Sequence, residues 1–249
     1  MRKDFSQQKT DKILIIGGRG LLGTALLKLD PSLTAPSHEE FEINDLNMMN
    51  DYLSDKEFDT LLLAAAFTSP PEVDKNPIKA MRTNIGGTAN VVELCDELGM
   101  KLAYISTDYV FSGEKGNYKE NDELLPQNLY AWSKLGGECA VRMYSNSLII
   151  RTSFSENVFP HDKAFVDQFT SRDSVDTIAE LILNLVKMTD VTGLLHVGTE
   201  RKSVKELAIK LGKKGVRDLK RDEVNFRVPY DTSLNQSKMI EILKEIAER

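Results

Sequence analysis

The sequence has little cysteine and no long apolar run. Cys95 and Cys139 are its two cysteines, they lack C-x-x-C spacing, and both fall in segments with a helical pattern. We therefore expect reduced structural thiols and predict neither a disulfide framework nor a metal site. No stretch approaches the ~18 apolar residues that span a bilayer. The polar segment from Met1 to Lys12 lacks the apolar core of a secretory signal, so we predict a cytoplasmic protein without a membrane partner.

Positive charge is not in excess either. The chain has 32 lysines and arginines against 38 acidic residues, which gives a net charge of −6. Proteins that bind nucleic acid usually present a basic face, so we expect no nucleic-acid partner. With 249 residues, of which 41% are hydrophobic, the chain is large enough for one full core and a small additional lobe.

Short apolar runs alternate with segments of helical periodicity along the chain. The predicted strands cover residues 12–16, 59–66, 101–107, 147–151 and 194–197, with a further strand expected somewhere in 33–45. The predicted helices cover 21–29, 84–98, 130–144, 176–187 and a last segment from 233. This alternation predicts an α/β fold, a Rossmann-type doubly wound parallel sheet with helices on both faces. We assign 12–153 to a dinucleotide-binding domain and 154–249 mainly to a small C-terminal substrate lobe, with some segments returning to the first domain.

A glycine-rich turn lies between the first predicted strand and helix. Gly17, Gly20 and Gly23 have the spacing G-x-x-G-x-x-G, which suits a tight turn and close approach of the backbone to a pyrophosphate at a helix amino terminus. Arg19 in this turn, together with His38, favours NADP through its 2′-phosphate, with NAD as the alternative. An ordinary strand-to-helix turn and an exposed arginine are the competing interpretations. The predicted cofactor-binding residues are Gly17, Arg19, Gly20, Leu21, Leu22, Gly23, His38, Asp45, Ala64, Ala65, Ala66, Tyr130 and Lys134.

The candidate catalytic residues are Thr107, Tyr130 and Lys134. Tyr130 and Lys134 are spaced i and i+4, so both side chains share one helix face. A neighbouring ammonium favours the phenolate, so we expect the pKa of Tyr130 to fall from ~10 towards neutrality, where a phenol acts as a general acid or base. Thr107 ends the third strand, where a hydroxyl can bond a substrate oxygen. The competing interpretations are a surface pair for Tyr130 and Lys134 and a loop-capping hydroxyl for Thr107.

Taken in order, these motifs resemble the extended short-chain dehydrogenase/reductase family and, within it, the dTDP-4-dehydrorhamnose reductases. The resemblance runs from Ile13 to about Thr152 and includes the glycine turn, residues 63–68, Asn84, residues 106–111, Tyr130 with Lys134, and residues 151–153. It implies NADP-dependent reduction of the 4-keto group of a nucleotide-activated sugar in polysaccharide precursor biosynthesis. It also implies a Thr107, Tyr130, Lys134 triad and substrate contacts from Thr68, Asp108 and Tyr109. A homodimer is a further expectation.

Tyr109 narrows the implied reaction. Related 4,6-dehydratases have a glutamate at this place and GDP-fucose synthase has a cysteine, so the tyrosine favours reduction without elimination or epimerisation. Beyond Thr152 the resemblance is confined to residues 167–169 and 229–234, and Val228 stands where an arginine commonly precedes the proline. Two alternatives are a non-catalytic regulatory subunit, like the methionine adenosyltransferase partner that shares this fold, and an epimerase that retains NAD tightly.

Overall fold

The computed structural model describes residues 12–247, so the polar segment before Lys12 lies outside the described residues. The strands are β1 (Ile13–Ile16), β2 (Thr60–Leu63), β3 (Lys101–Thr107), β4 (Ser147–Thr152), β5 (Phe154–Ser155), β6 (Lys163–Phe165), β7 (Phe169–Thr170), β8 (Asp173–Ser174), β9 (Gly193–Val197), β10 (Lys202–Ser203) and β11 (Arg217–Leu219). The α-helices are α1 (Leu21–Leu29), α2 (Leu46–Leu53), α3 (Pro70–Lys75), α4 (Pro77–Met81), α5 (Thr88–Leu98), α6 (Leu129–Val141), α7 (Val175–Val186), α8 (Val204–Lys210) and α9 (Ser237–Ala247). A π-helical turn, Arg82–Gly87, precedes α5.

The central sheet confirms the predicted parallel α/β fold. Five parallel strands lie in the order β1, β2, β3, β4, β9. The strand expected within 33–45 is reduced to one bridge, in which Thr34 accepts a bond from the Ile15 amide at 2.8 Å and donates to the Ile13 carbonyl at 3.1 Å. The prediction of a full strand was wrong because Pro36 cannot donate a ladder bond and the polar residues around it form turns.

Helices cover both faces of the sheet, which is why its strands are apolar throughout rather than alternating. Leu14, Leu61, Leu102 and Ile149 belong to the core beneath α2, α5 and α6. Their strand neighbours face the opposite core, beneath α1, α7 and α9. Both cysteines lie in helices and neither forms a disulfide, Cys95 being buried in α5 and Cys139 exposed in α6.

Residues after 153 contribute both to the central sheet and to a small additional layer. β9 is the last strand of the sheet, and α7 packs against α1. The short pairs β5–β8, β6–β11 and β7–β10 form the additional layer, together with a small core of Phe159, Ala164 and Ala208. The domain division at residue 153 stays a prediction. Within residues 12–247, no helix combines the length and apolar character needed to cross a membrane.

Candidate active site

A cavity of about 620 Å³, the catalytic cavity, lies at the carboxyl ends of the central strands. The structure brings most of the predicted site residues into its lining. These are Gly17, Gly20, Leu21, Leu22, Gly23, Ala64, Ala65, Ala66, Thr68, Thr107, Asp108, Tyr109, Tyr130 and Lys134. The glycine turn and the candidate catalytic residues therefore face one another across a single space, as parallel strands that end at one edge require.

The glycine turn is a tight cradle in which a Cβ would meet neighbouring backbone. Gly17 has φ +103°, and a Cβ there would lie 2.6 Å from the Ala65 nitrogen. A Cβ on Gly23 would lie 2.3 Å from the Gly17 carbonyl oxygen. Helix α1 starts directly after Gly20, with no side-chain cap on its amino terminus. Its free N–H groups and positive dipole end suit a pyrophosphate.

A smaller neighbouring cavity of about 300 Å³, the Arg19 cavity, shares Gly17, Gly20, Ala65 and Ala66 with the catalytic cavity. Arg19 and His38 line it, as expected for residues near a 2′-phosphate. Both carry acidic partners: Arg19 lies 3.7 Å from Glu39, and His38 pairs with Glu42.

Asp45 was also predicted to bind the cofactor, but it lines neither the catalytic cavity nor the Arg19 cavity. Its carboxylate accepts a bond of 3.1 Å from the Met48 amide and caps α2. The preceding residue, Asn44, lines the Arg19 cavity in its place. An aspartate before an apolar periodic segment is a frequent helix cap, and this local demand takes up the carboxylate.

Tyr130 and Lys134 lie on α6, which begins at the Asn128 cap. Burial raises the pKa of Tyr130 well above its ordinary value, and the Asp108 charge raises it further. Burial lowers the pKa of Lys134 to about 7, against an opposing effect of Glu138. The expected lowering of the Tyr130 pKa was wrong for the protein alone. Desolvation of the phenol and the Asp108 charge outweigh the Thr107 hydrogen bond and the Arg172 charge, which lower the pKa.

Asn84 holds the start of α6 against the loop after β2. Its amide nitrogen donates to the Ser133 hydroxyl at 2.8 Å and to the Phe67 carbonyl at 3.0 Å, and its oxygen accepts from the Phe67 amide at 2.8 Å. The π-helical turn that carries Asn84 aims this side chain across to α6. Such turns recur at functional sites, although sequence periodicity does not reveal them.

Thr107 and Asp108 connect the end of β3 to the C-terminal segment. The Thr107 hydroxyl donates to Asp108 at 3.2 Å and accepts from the Tyr109 amide at 3.2 Å. The Thr232 hydroxyl donates to the other Asp108 oxygen at 2.8 Å. Asp108 lines the cavity, and these bonds make its carboxylate a support for Thr107 and Thr232.

A buried ion network lies beneath the candidate catalytic residues and is centred on Glu138, one helical turn beyond Lys134. Arg151 donates to both Glu138 oxygens, at 2.6 and 3.1 Å, and neither side chain has exposed surface. Ser106 and Arg142 donate to the same carboxylate. Burial by itself raises the pKa of Glu138, but these bonds outweigh it and hold the pKa below its ordinary value. The network fixes α6 on β3 and β4.

Sequence reasoning missed Ser153 and Arg172, which also line the catalytic cavity. The Arg172 Nε donates to the Ser153 hydroxyl at 2.9 Å. Arg172 follows the short 167–169 segment that resembles reductases, which was the one available signal. A third cavity of about 530 Å³, the lobe cavity, opens on the other side of Tyr109 and Arg172.

The sequence matches one family model and several known proteins. The model described as RmlD substrate binding domain matches residues 11–172. The probable low-salt glycan biosynthesis reductase Agl14 of Haloferax volcanii is 31% identical over 223 residues, 75% of this chain and 74% of the relative. The methionine adenosyltransferase 2 subunit beta of Bos taurus is 32% identical over 141 residues, which cover 52% of this chain and 42% of that protein.

Two solved structures share nearly the whole fold. A hypothetical dTDP-4-dehydrorhamnose reductase from Sulfolobus tokodaii is 30% identical with a TM-score of 0.81, and the match covers 93% of this chain and 94% of that one. The dTDP-4-dehydrorhamnose reductase of Bacillus anthracis, determined with NADP, is 23% identical with a TM-score of 0.84 and coverage of 95% and 93%.

Proposed function

This chain belongs to the RmlD substrate binding domain family, and from that premise we propose that it is an NADPH-dependent reductase of a nucleotide-linked 4-keto-6-deoxy sugar. The single observation that carries the proposal is that the glycine cradle and the Thr107, Tyr130, Lys134 group line one cavity. The glycan and rhamnose reductases among its relatives support a role in polysaccharide precursor synthesis. A cytoplasmic location, a homodimer and the domain division at residue 153 belong to this proposal as predictions.

The residues around the glycine turn fit a dinucleotide. The absence of a Cβ at Gly17 and Gly23 lets the turn pack closely on its neighbouring backbone, and the uncapped start of α1 borders the catalytic cavity, where a pyrophosphate would meet its free N–H groups. Arg19 and His38 would lie near a 2′-phosphate. When bound, the reduced nicotinamide supplies the hydride that adds to the carbonyl carbon.

Tyr130 is the general acid in this proposal. Its raised pKa keeps the phenol protonated at neutral pH, the form that can donate a proton to the carbonyl oxygen as negative charge develops there. Thr107 would hold the same oxygen by a hydrogen bond once its hydroxyl proton turns from Asp108 to the substrate. Lys134 lies one helical turn after Tyr130, with its Nζ over the Tyr104 ring at 4.2 Å, and in this proposal its positive charge favours loss of the Tyr130 proton during the transfer.

The test is oxidation of NADPH in the presence of dTDP-4-keto-6-deoxy sugars. We expect Tyr130→Phe to bind NADPH normally and to lose activity by ~10²–10⁴-fold, the usual worth of a positioned general acid. Tyr52→Phe is the matched control, because this phenol lies outside the cavities and should leave activity unchanged. Full activity of Tyr130→Phe would contradict the proposed role.

A non-catalytic regulatory subunit is the second candidate, and the match to the methionine adenosyltransferase subunit favours it. It predicts NADPH binding without oxidation against any keto sugar. The complete Thr107, Tyr130, Lys134 group supports the enzyme instead, since a subunit that only binds a dinucleotide has no need of a general acid.

A further inference from the structure

Lys134 is held in a different way from the other buried lysines of this chain. In the described part of the chain, the three buried lysines are Lys101, Lys134 and Lys202. The Lys101 ammonium donates to a backbone carbonyl, and the Lys202 ammonium donates to a hydroxyl at 2.6 Å and to two backbone carbonyls. The Lys134 Nζ has no hydrogen-bond acceptor among the described residues and lies 4.2 Å from the centre of the Tyr104 ring. An aromatic ring therefore stands at Lys134 where the other two lysines have oxygen acceptors.

Tyr104 also contacts Lys134 at a second point. Its hydroxyl donates to the Lys134 carbonyl at 3.0 Å, so one side chain supports both the backbone and the ammonium of that lysine. Gly137 makes this approach possible, because a Cβ there would lie 2.6 Å from the Tyr104 hydroxyl oxygen. Burial raises the pKa of Tyr104 well above its ordinary value, so the ring stays a neutral phenol. β3 therefore supports Lys134 through a single buried and neutral side chain.

The charges around Lys134 come from its own helix and from the elements packed against α6. Glu138 lies one turn further along α6, and its charge raises the pKa of Lys134 against the effect of burial. The acids and bases of α3, α4 and the π-helical turn are exposed, as are the acids of α5. The other titratable groups of these elements that are not exposed are Cys95, Lys101, Tyr104, Asp108, Tyr109, Tyr130 and Arg151. Among all of them, Tyr104 is the group in contact with the ammonium.

The contact between this ring and the ammonium is protected from water. A ring face attracts a cation through its quadrupole, and the attraction is larger where water is excluded. Lys134 is 3% exposed and Tyr104 has no exposed surface, so solvent screens the contact little. A ring face forms no bond directed at a particular N–H, so the ammonium donors remain available to the catalytic cavity, which Lys134 lines. An oxygen acceptor at the same place would instead turn an N–H away from the cavity.

We propose that Tyr104 is a positioning residue that keeps Lys134 charged at the wall of the catalytic cavity, and that its ring is the part that acts. The effect on the reaction rests on the proposed function, in which the Lys134 charge assists Tyr130. The contact itself does not depend on the identity of the substrate. Loss of the ring should lower the pH up to which Lys134 stays charged and, with it, the upper pH limit of the activity.

The experiment compares Tyr104→Met with Tyr104→Phe. Methionine fills most of the ring volume with a flexible apolar chain, whereas phenylalanine keeps the ring and removes the hydroxyl. We expect Tyr104→Met to lower the pH midpoint of Lys134 by about 0.5–1.5 pH units, a cation–π contact expressed as a pKa shift. Tyr104→Phe should keep the wild-type midpoint. Leu102→Ala is the matched control, because it removes buried volume from the same core and the same strand but no ring, and its midpoint should not move.

Two measurements follow the midpoint independently. An NMR titration of protein labelled at the lysine Cε carbons follows Lys134 directly, and its signal is assigned by its loss in Lys134→Arg. The oxidation of NADPH with dTDP-4-keto-6-deoxy sugars follows the reaction. Well above the wild-type midpoint, Tyr104→Met should be about 3- to 30-fold less active than the wild-type protein, and the difference should narrow as the pH falls below that midpoint.

The outcomes separate this inference from the proposed function. A Lys134 midpoint that stays or rises in Tyr104→Met overturns the inference, and the reductase proposal stands. A midpoint that falls equally in Tyr104→Phe also overturns it, because the hydroxyl would then be the part that acts. If the NMR midpoint falls but the pH profile of the active enzyme does not follow, the positioning role is contradicted.

The opposite failure leaves the ring contact intact. If the NMR midpoint falls in Tyr104→Met but the wild-type protein oxidises no NADPH with any keto sugar, the proposed function fails and the support of the Lys134 charge by the ring stands. Should Tyr104→Met fail to fold, Tyr104→Leu replaces it, and the requirement that Tyr104→Phe keeps the wild-type midpoint holds in either case.

Discussion

The catalytic cavity and the Arg19 cavity adjoin at Gly17 and Ala65, yet they hold their charged groups differently. Beside the catalytic cavity, Lys134 is 3% exposed, and Glu138 beneath it has no exposed surface. In the Arg19 cavity, the side chains of Arg19 and Glu39 are each 76% exposed. Charges in the first region interact strongly because water is largely excluded, whereas those in the second are screened. Under the proposed function, we therefore expect the chemistry to depend on buried charges and the choice of cofactor to depend on weak surface contacts.

The largest effect is expected from Glu138→Gln. The substitution leaves the buried Arg151 guanidinium without a countercharge, so we expect a loss of about 3–5 kcal/mol in the free energy of unfolding. Denaturant titration measures it. Glu72→Gln is the control, since Glu72 pairs with Lys75 on the surface at 2.8 Å and should cost little. Equal losses for both variants would contradict the contrast between buried and exposed charges.

A pH dependence follows from Lys134. Burial lowers its pKa to about 7, so the ammonium is lost as pH rises through neutrality, and we expect reductase activity to fall about tenfold per pH unit above that value. Stability should change in the opposite direction. Between pH 7 and the ordinary lysine pKa, the unfolded chain binds the proton that the folded chain has released, so the free energy of unfolding rises with pH.

Lys134→Arg tests both parts of the pH prediction. A guanidinium stays protonated throughout this range, so the variant should lose the fall in activity and the rise in stability, whatever its activity at pH 6. The test measures the activity and the thermal unfolding of the wild-type protein and of Lys134→Arg from pH 6 to 9. A wild-type pH profile retained in the variant would assign the titration to another group.

The smallest effect is expected in the Arg19 cavity. Glu39→Gln removes an acidic neighbour 3.7 Å from Arg19 and should improve NADPH affinity about 2- to 5-fold, with NADH affinity little changed. Arg19→Ala should lower NADPH affinity. Fluorescence titration at low and high salt measures both, and the differences should shrink as salt increases. Glu93→Gln, an exposed acid on α5, controls for net charge. If Arg19→Ala lowered NADPH affinity by more than about 100-fold, the charges in the Arg19 cavity would be less screened than their exposure indicates.

Local sequence determined those parts of the site whose function depends on spacing within one element. The glycine turn was predicted because Gly17 and Gly23 stand where a Cβ would meet the backbone, and Tyr130 and Lys134 because a helix brings residues four apart to one face. For Asp45 the structure shows a local role, because its carboxylate caps α2, so its predicted contact with the cofactor stays a prediction. Arg172 was missed because it reaches the cavity from a short segment after β7, remote in sequence from every recognised motif.

The sequence by itself determined the parallel α/β fold, the glycine turn and the placement of Tyr130 and Lys134 on one helix face, since these arise from periodicity and from contacts within a few residues. Only the tertiary structure decided the directions in which the pKa values of Tyr130 and Lys134 shift, the pairing of Glu138 with Arg151, and the place of Arg172 between two cavities. The physical reason is that desolvation and ion pairing depend on which distant segments enclose a group. That enclosure exists only once the chain has folded.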